Sequence, residues 1–155
     1  MIREGDPAPT FELASEPGVM IDLADHIGAD RIVLLFYPLA FSGVCTTELC
    51  TIRDTWPDFE ALEARVFGIS VDSPFVTKRY REAEGLPFPL LSDFNKDVSA
   101  EYGVLEAEAY GLRGIARRSA FVIGRNGIVV YAWIAEDSGL EPDYAAIKAA
   151  LLAAP

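Results

Sequence analysis

Apolar residues along the chain fall into two rhythms. Residues 31–37 (Arg-Ile-Val-Leu-Leu-Phe-Tyr) and 65–71 (Arg-Val-Phe-Gly-Ile-Ser-Val) are short, nearly unbroken apolar runs. Such runs mark strands covered on both faces. Between them, Leu49, Ile52, Trp56, Phe59 and Leu62 recur at helical spacing, which predicts a helix over 43–64. Pro57 lies inside that span. It lacks an N–H and its ring crowds the preceding turn, so it should kink or divide the helix.

The remaining pattern surrounds this centre. Residues 11–13 and 19–23 flank Glu16-Pro17-Gly18, predicting an N-terminal hairpin. A helix over 74–84 starts with Pro74 in its first turn. A short strand covers 89–91, and a short helix over 96–102 ends at Gly103. Residues 106–117 mix glycine with alternating charge and read as irregular. Strands over 120–124 and 128–134 join through Arg125-Asn126-Gly127, a hairpin signal, and a helix over 142–154 closes the chain. The order βαβα then ββα predicts an α/β protein: a mixed central sheet with helices on both faces. That is a thioredoxin-like fold with an N-terminal β-hairpin added. No linker divides it, so residues 1–155 are expected to form a single domain.

Composition agrees and narrows the function. With 155 residues, 51% hydrophobic, the chain can bury a full core. Its start has no basic stretch followed by an apolar one, so no secretory signal is expected. No apolar run approaches the roughly 18 residues of a membrane span. Two cysteines are too few for a disulfide scaffold, which points to a reducing, cytoplasmic setting. A net charge of −11 argues against nucleic acid as a partner.

The two cysteines are Cys45 and Cys50. Cys45 stands where an apolar strand gives way to a helix. Unpaired N–H groups and the partial positive charge of a helix start favour thiolate over thiol there. An unperturbed thiol, with a pKa of roughly 8.5, is only a few per cent ionised at neutral pH. The bland alternative is an inert core thiol. Ser42 fits an N-cap accepting from the Cys45 amide, a role compatible with touching a reacting group. Glu48 fits a first-turn carboxylate favoured by the helix dipole. Asp72 and Asp93 fit loop caps, and His26 a surface or cap position. Two cysteines and one distant histidine are too few soft ligands for a metal. The Cys-x-x-Cys spacing of a dithiol oxidoreductase is absent. A non-enzymatic redox sensor on the same scaffold stays open.

Pro38-x-x-x-Ser42-x-x-Cys45 resembles the active-site pattern of the peroxiredoxins, Pro-x-x-x-Thr/Ser-x-x-Cys. Further segments resemble the family in the same order. They are Glu4-Gly5-Asp6-Pro7-Ala8-Pro9, Gly68-Ile69-Ser70-Val71-Asp72-Ser73, Phe88-Pro89-Leu90-Leu91-Ser92-Asp93 and Arg117-Arg118-Ser119-Ala120-Phe121-Val122-Ile123. The resemblance implies a peroxidase in which the Cys45 thiolate attacks a peroxide oxygen and becomes a sulfenic acid. It makes Arg118 the active-site cation, holding thiolate and developing charge. Arg117 is the nearest rival, but strand alternation puts it on the opposite face. Pro38 would shape and shield the loop, Ser42 would contact thiol or peroxide, and Glu48 would orient the arginine. Backbone N–H groups of residues 43–45 would complete a nest for the oxygens. No metal, flavin or haem is implied. Hydrogen peroxide and organic hydroperoxides are the implied substrates, and a thioredoxin- or glutaredoxin-like protein the implied reductant.

Two subgroups are echoed. Cys45-Thr46-Thr47-Glu48-Leu49-Cys50 resembles the bacterioferritin-comigratory (PrxQ-like) subgroup, which implies Cys50 as the resolving cysteine. The run from Pro38 to Cys45 resembles the AhpE-like subgroup, in which that cysteine can be absent. Five residues of helix turn about 500°, leaving the two side chains roughly 140° apart. A disulfide needs Cα atoms within about 7 Å, so resolution requires local unwinding. Thr46, Thr47 and Thr51 lower its cost. Otherwise Cys50 is apolar filler and an external thiol completes the cycle. A monomer and a homodimer are both compatible with the mixed motif. Phe41, Trp56 and Phe75 are candidates for an apolar collar around the substrate, or plain core residues.

Overall fold

The computed structural model describes residues 1–155, and its centre is the apolar run read from the sequence. Strand β3 (Arg31–Phe36) is parallel to β4 (Ala64–Ser70) on one side and antiparallel to β8 (Ser119–Ile123) on the other. Successive side chains of a strand point to opposite faces. Val33, Leu35 and Tyr37 therefore enter one core cluster, while Ile32, Leu34 and Phe36 enter the other. All six are fully buried, which explains the absence of polar alternation in this stretch.

The sheet is completed by β5 (Leu90–Ser92) beside β4, and by β9 (Val129–Ile134) beside β8. The N-terminal hairpin, β1 (Glu12–Glu16) and β2 (Val19–Asp22), adds to the β5 edge through Ala14 and Ser92. The strand order is β2-β1-β5-β4-β3-β8-β9, a mixed seven-stranded sheet. One face is covered by α1 (Gly43–Asp54), α2 (Trp56–Ala61), α3 (Pro74–Glu84) and α5 (Tyr144–Ala153), through residues such as Leu49, Phe59, Tyr80 and Ile147. The other is covered by a 3-10 turn (Leu23–Asp25) and α4 (Asp97–Glu101), through Leu23, Val98 and the following Tyr102. This is the thioredoxin-like α/β arrangement expected from the order of elements. None of its helices is long and apolar enough to cross a membrane.

Local chemistry sets the boundaries. The single helix expected over 43–64 is two helices, interrupted at Thr55, with Pro57 in the first turn of α2. Ser73 caps α3 by accepting from the Val76 amide, and Gly85 ends it in the left-handed conformation. Asp93 accepts from the amides of Val98 and Ser99, as a capping acid should. The segment 106–117, read as irregular, instead contributes a two-stranded ribbon, β6 (Leu105–Glu106) with β7 (Ile115–Ala116). Its strands are too short to carry a periodic signal.

The Leu90 and Tyr37 side chains close over Gly68 beneath helix α1. A Cβ at that position would meet Leu90 Cδ2 at 2.6 Å, Tyr37 Cε1 at 3.2 Å and Leu49 Cδ2 at 3.7 Å. Gly68→Ala is therefore expected to destabilise the fold by about 1–3 kcal/mol through overpacking. Urea unfolding checks this as a lowered midpoint at unchanged slope.

Candidate active site

Strand β3 delivers the chain to the loop of residues 37–42, and α1 begins directly beyond it. The loop is fastened from below. Ala40 N–H donates to Asp72 Oδ2 at 2.8 Å, and the same carboxylate oxygen accepts from Ser70 Oγ at 2.8 Å. Asp72 thus ties the end of β4 to the loop. Phe41 adopts φ +65°, and its ring packs on Tyr80 with centroids 4.6 Å apart. The Tyr80 and Thr46 hydroxyls share a 2.7 Å hydrogen bond, so α3 holds both the loop and the first turn of α1.

Ser42 occupies the N-cap position, but its hydroxyl makes no capping bond. It donates instead to the Leu39 carbonyl at 3.0 Å. The expected bond from the Cys45 amide is therefore absent. The physical reason is orientation: the side chain is turned back toward the Leu39 carbonyl, which leaves its oxygen out of line with the amides of the first turn. The Ser42 carbonyl still receives the Thr46 amide at 3.0 Å and starts the helix.

Cys45 is fully buried and unpaired. Its sulfur accepts from Arg118 Nη2 at 3.2 Å. Arg118 is only 2% exposed, and the rest of its guanidinium is also engaged. Nη1 donates to Glu48 Oε2 at 2.5 Å, and Nε donates to the Ser138 carbonyl at 3.0 Å. Arg117, on the other face, pairs with Glu106 on the ribbon, as strand alternation requires. The chain therefore brings together Pro38, Ser42, Cys45, Glu48 and Arg118.

Burial opposes the charge on Arg118, but Glu48 and Cys45 outweigh it, and the guanidinium is held above its ordinary pKa. Glu48 is fully buried, and burial pushes its carboxyl up to about 7, against the charge and hydrogen bond of Arg118 and with some help from Glu141. Its second oxygen, Oε1, has no partner. Near neutral pH this carboxyl is thus poised between ionised and neutral beside a permanent cation.

Cys50 faces elsewhere. It is half-buried, and its sulfur donates to Glu84 Oε2 at 3.5 Å, at the far end of α3. Burial pushes its thiol up, opposed by Arg53 and reinforced by Glu84. With α1 intact the two sulfurs have different neighbours, as the helical angle requires.

A cavity of about 290 Å³ opens beside Arg118, lined by Pro38, Leu39, Ser42, Val44 and Tyr110 among others. A larger groove of about 600 Å³ lies around Phe11, Phe75 and Phe94; neither wall includes a cysteine, but the smaller cavity meets Arg118, which bonds the Cys45 sulfur. None of the expected collar residues lines the smaller cavity. Phe41 lies on Tyr80, Trp56 packs on Phe59 and Phe88, and Phe75 borders the larger groove. Tyr110 and Ser138 line it instead. Ser138 contributes a backbone carbonyl, which leaves no mark on residue type, and Tyr110 lay in the segment read as irregular. No group of three His, Cys, Asp or Glu is arranged to hold a metal ion. His26 bonds Asp30 at 2.9 Å and packs on Phe67, in keeping with a structural role.

A cysteine at a helix start, bonded to a buried arginine at one end of a thioredoxin-like sheet, fits one class: a thiol-dependent peroxidase. The chain belongs to the AhpC/TSA family, whose model matches residues 4–132, and it is a peroxiredoxin of the AhpE/PrxQ-like type. It is 40% identical over 134 residues to alkyl hydroperoxide reductase E of Mycobacterium tuberculosis, covering 85% of each chain. It is 36% identical over 140 residues to the chloroplastic 2-Cys peroxiredoxin BAS1 of Spinacia oleracea, covering 84% of this chain and 51% of that one. The crystal structure of peroxidoxin BcpB from M. tuberculosis superposes with a TM-score of 0.86 at 29% identity, over 97% of both chains.

The raised Glu48 carboxyl carries a sign for stability. The folded state binds its proton more tightly than the unfolded state does. Its contribution is therefore greatest below about pH 4.5 and fades as pH rises through about 7. Between pH 5 and 8 the wild type is expected to lose stability relative to Glu48→Gln, by on the order of 2 kcal/mol. Urea midpoints of both proteins at the two pH values measure it.

Proposed function

We propose that Cys45 is the peroxide-attacking residue and that Cys50 resolves it. One observation carries this reading: the buried Cys45 sulfur lies 3.2 Å from a guanidinium that Glu48 and the Ser138 carbonyl hold in place, with N–H groups to spare for a bound oxygen. A cation fixed in that way is preorganised for the charge that moves during O–O cleavage.

In the first step a sulfur electron pair of the thiolate forms a bond to the terminal peroxide oxygen, and the O–O bond breaks. Sulfur is oxidised by two electrons. The peroxide is reduced, leaving as water from hydrogen peroxide or as an alcohol from an organic hydroperoxide once the departing oxygen takes up a proton. Arg118 stabilises the thiolate and the departing oxygen. Glu48 is a positioning residue that holds Arg118. Pro38 closes the loop over the sulfur, Ser42 offers its hydroxyl oxygen to the bound peroxide, and the amides at the start of α1 face the oxygens.

In the second step Cys50 attacks the sulfenic sulfur, an S–S bond forms, and water leaves. The first turns of α1 must unwind for the sulfurs to meet. Three threonine hydroxyls favour this by bonding back to the helix itself: Thr47 to Gly43, Thr51 to Thr47, and Thr55 to Thr51. Such bonds weaken a helix slightly. A thioredoxin- or glutaredoxin-like dithiol protein in the cytoplasm then reduces the disulfide, and this single domain works as a monomer or homodimer. The cycle runs on thiols and calls on no metal, flavin or haem.

Intact-mass analysis after one equivalent of hydrogen peroxide and an alkylating quench tests the reading. Loss of two hydrogens with no alkylatable thiol is the expected result. Gain of one oxygen with one thiol still reactive would remove Cys50 from the cycle, and an unchanged mass would remove Cys45. Arg118→Lys keeps a charge but loses the planar set of donors. It should slow Cys45 oxidation by about 10²-fold, as loss of a preorganised donor does, measured by stopped-flow fluorescence.

A further inference from the structure

The cavity beside Arg118 is too large for hydrogen peroxide alone. Its volume is about 290 Å³, whereas a water occupies roughly 30 Å³ of the liquid, and hydrogen peroxide is little bigger. Most of the space is left over once a peroxide group reaches the guanidinium. Much of the remaining wall is apolar: Pro38, Leu39, Val44 and the ring of Tyr110.

Tyr110 is held there against its own backbone preference. It has φ +56°, followed by Gly111 at φ +72°. Ala109 and Leu112 exchange both backbone hydrogen bonds across the pair, each at 2.9 Å. That is a two-residue hairpin turn with two positive φ angles, which Asn, Asp or Gly fill without strain. A tyrosine there is an outlier, and strained residues gather at functional sites. Tyr110 is 71% exposed and yet borders the cavity, so it is not retained as core.

The turn is fixed at its base. Ribbon β6–β7 carries it, Arg117 pairs with Glu106, the Arg117 amide donates to the Val104 carbonyl at 2.7 Å, and Lys96 Nζ donates to the Arg113 carbonyl at 3.0 Å. Arg118 follows directly. One rigid ribbon therefore sets the distance between the ring and the guanidinium.

We propose that Tyr110 is a specificity-determining residue whose ring forms the wall that holds the apolar group of an organic hydroperoxide. The proposal rests on the peroxidase reading and specifies the substrate of that same site.

The test compares oxidation rates of the reduced wild type, Tyr110→Asn and Tyr110→Phe with cumene hydroperoxide and with hydrogen peroxide, by stopped-flow tryptophan fluorescence. Asparagine fits the left-handed turn, so the ring is removed with the ribbon intact. The expected result is a ratio of cumene to hydrogen peroxide rates about tenfold lower in Tyr110→Asn, as for loss of apolar pocket contacts, and retained in Tyr110→Phe. An unchanged ratio in Tyr110→Asn, including an equal fall with both peroxides, overturns the proposal. So does an equal loss of the ratio in Tyr110→Phe. A wild type that neither peroxide oxidises overturns the peroxidase reading itself, an outcome distinct from a reactive enzyme with an unaltered ratio.

Discussion

Arg118 is a permanent positive charge that is only 2% exposed to solvent, meeting only the small cavity beside it, and the arrangement around it follows from that. A buried cation is costly unless its donors are met by good acceptors. Here they are met from three directions: Cys45 and Glu48 on α1, and the Ser138 carbonyl beyond β9. The guanidinium therefore locks α1 to the segment that follows the sheet. The residue proposed to serve the chemistry is also the residue that orients the helix bearing Cys45. Removing any partner leaves charge without compensation in the interior, so the site and its surroundings cannot be varied independently.

The sheet makes this placement possible. Because β3 is covered on both faces, its odd residues lead into the layer that contains α1, and Cys45 enters the same cluster as Val33, Leu35 and Tyr37. Strand β8 lies next to β3 in antiparallel register, with Ser119 opposite Phe36, so Arg118 emerges at the end of β3 where the helix begins. Asp72 does the same service from β4 by fastening the loop at Ala40. Three adjacent strands thus each deliver one fixed group to one edge.

Much of this was legible in the sequence. Unbroken apolar runs located β3 and β4, since full burial on both faces erases alternation. Pro57 marked the division of the long helix. Cys45 was legible as a thiol at a helix start, whereas Arg118 and Glu48 were singled out through the resemblance to the peroxiredoxin pattern. What escaped had physical causes. Whether the Ser42 hydroxyl accepts from the helix or turns back to the Leu39 carbonyl depends on loop geometry, which residue type does not encode. The aromatic residues Phe41, Trp56 and Phe75 looked alike as collar candidates, because core packing and site lining use the same residues. Tyr110 was hidden by a turn that normally takes Asn or Gly, and Ser138 by acting through its backbone.

The interruption at Thr55 has a mechanical consequence. Helical order is cooperative, each turn supporting the next, so a single long helix would transmit loss of order from one end to the other. Here the two pieces are separate cooperative units. The second is moored independently, by Trp56 and Phe59 in the aromatic core and by Lys148 of α5 to Asp58 at 2.9 Å. Opening of the first turns of α1, which the proposed resolution by Cys50 requires, therefore stops at Thr55 at the latest. The break acts as insulation: such opening draws on α1 and its core residues Leu49 and Ile52, while α2 and its aromatic contacts stay in place.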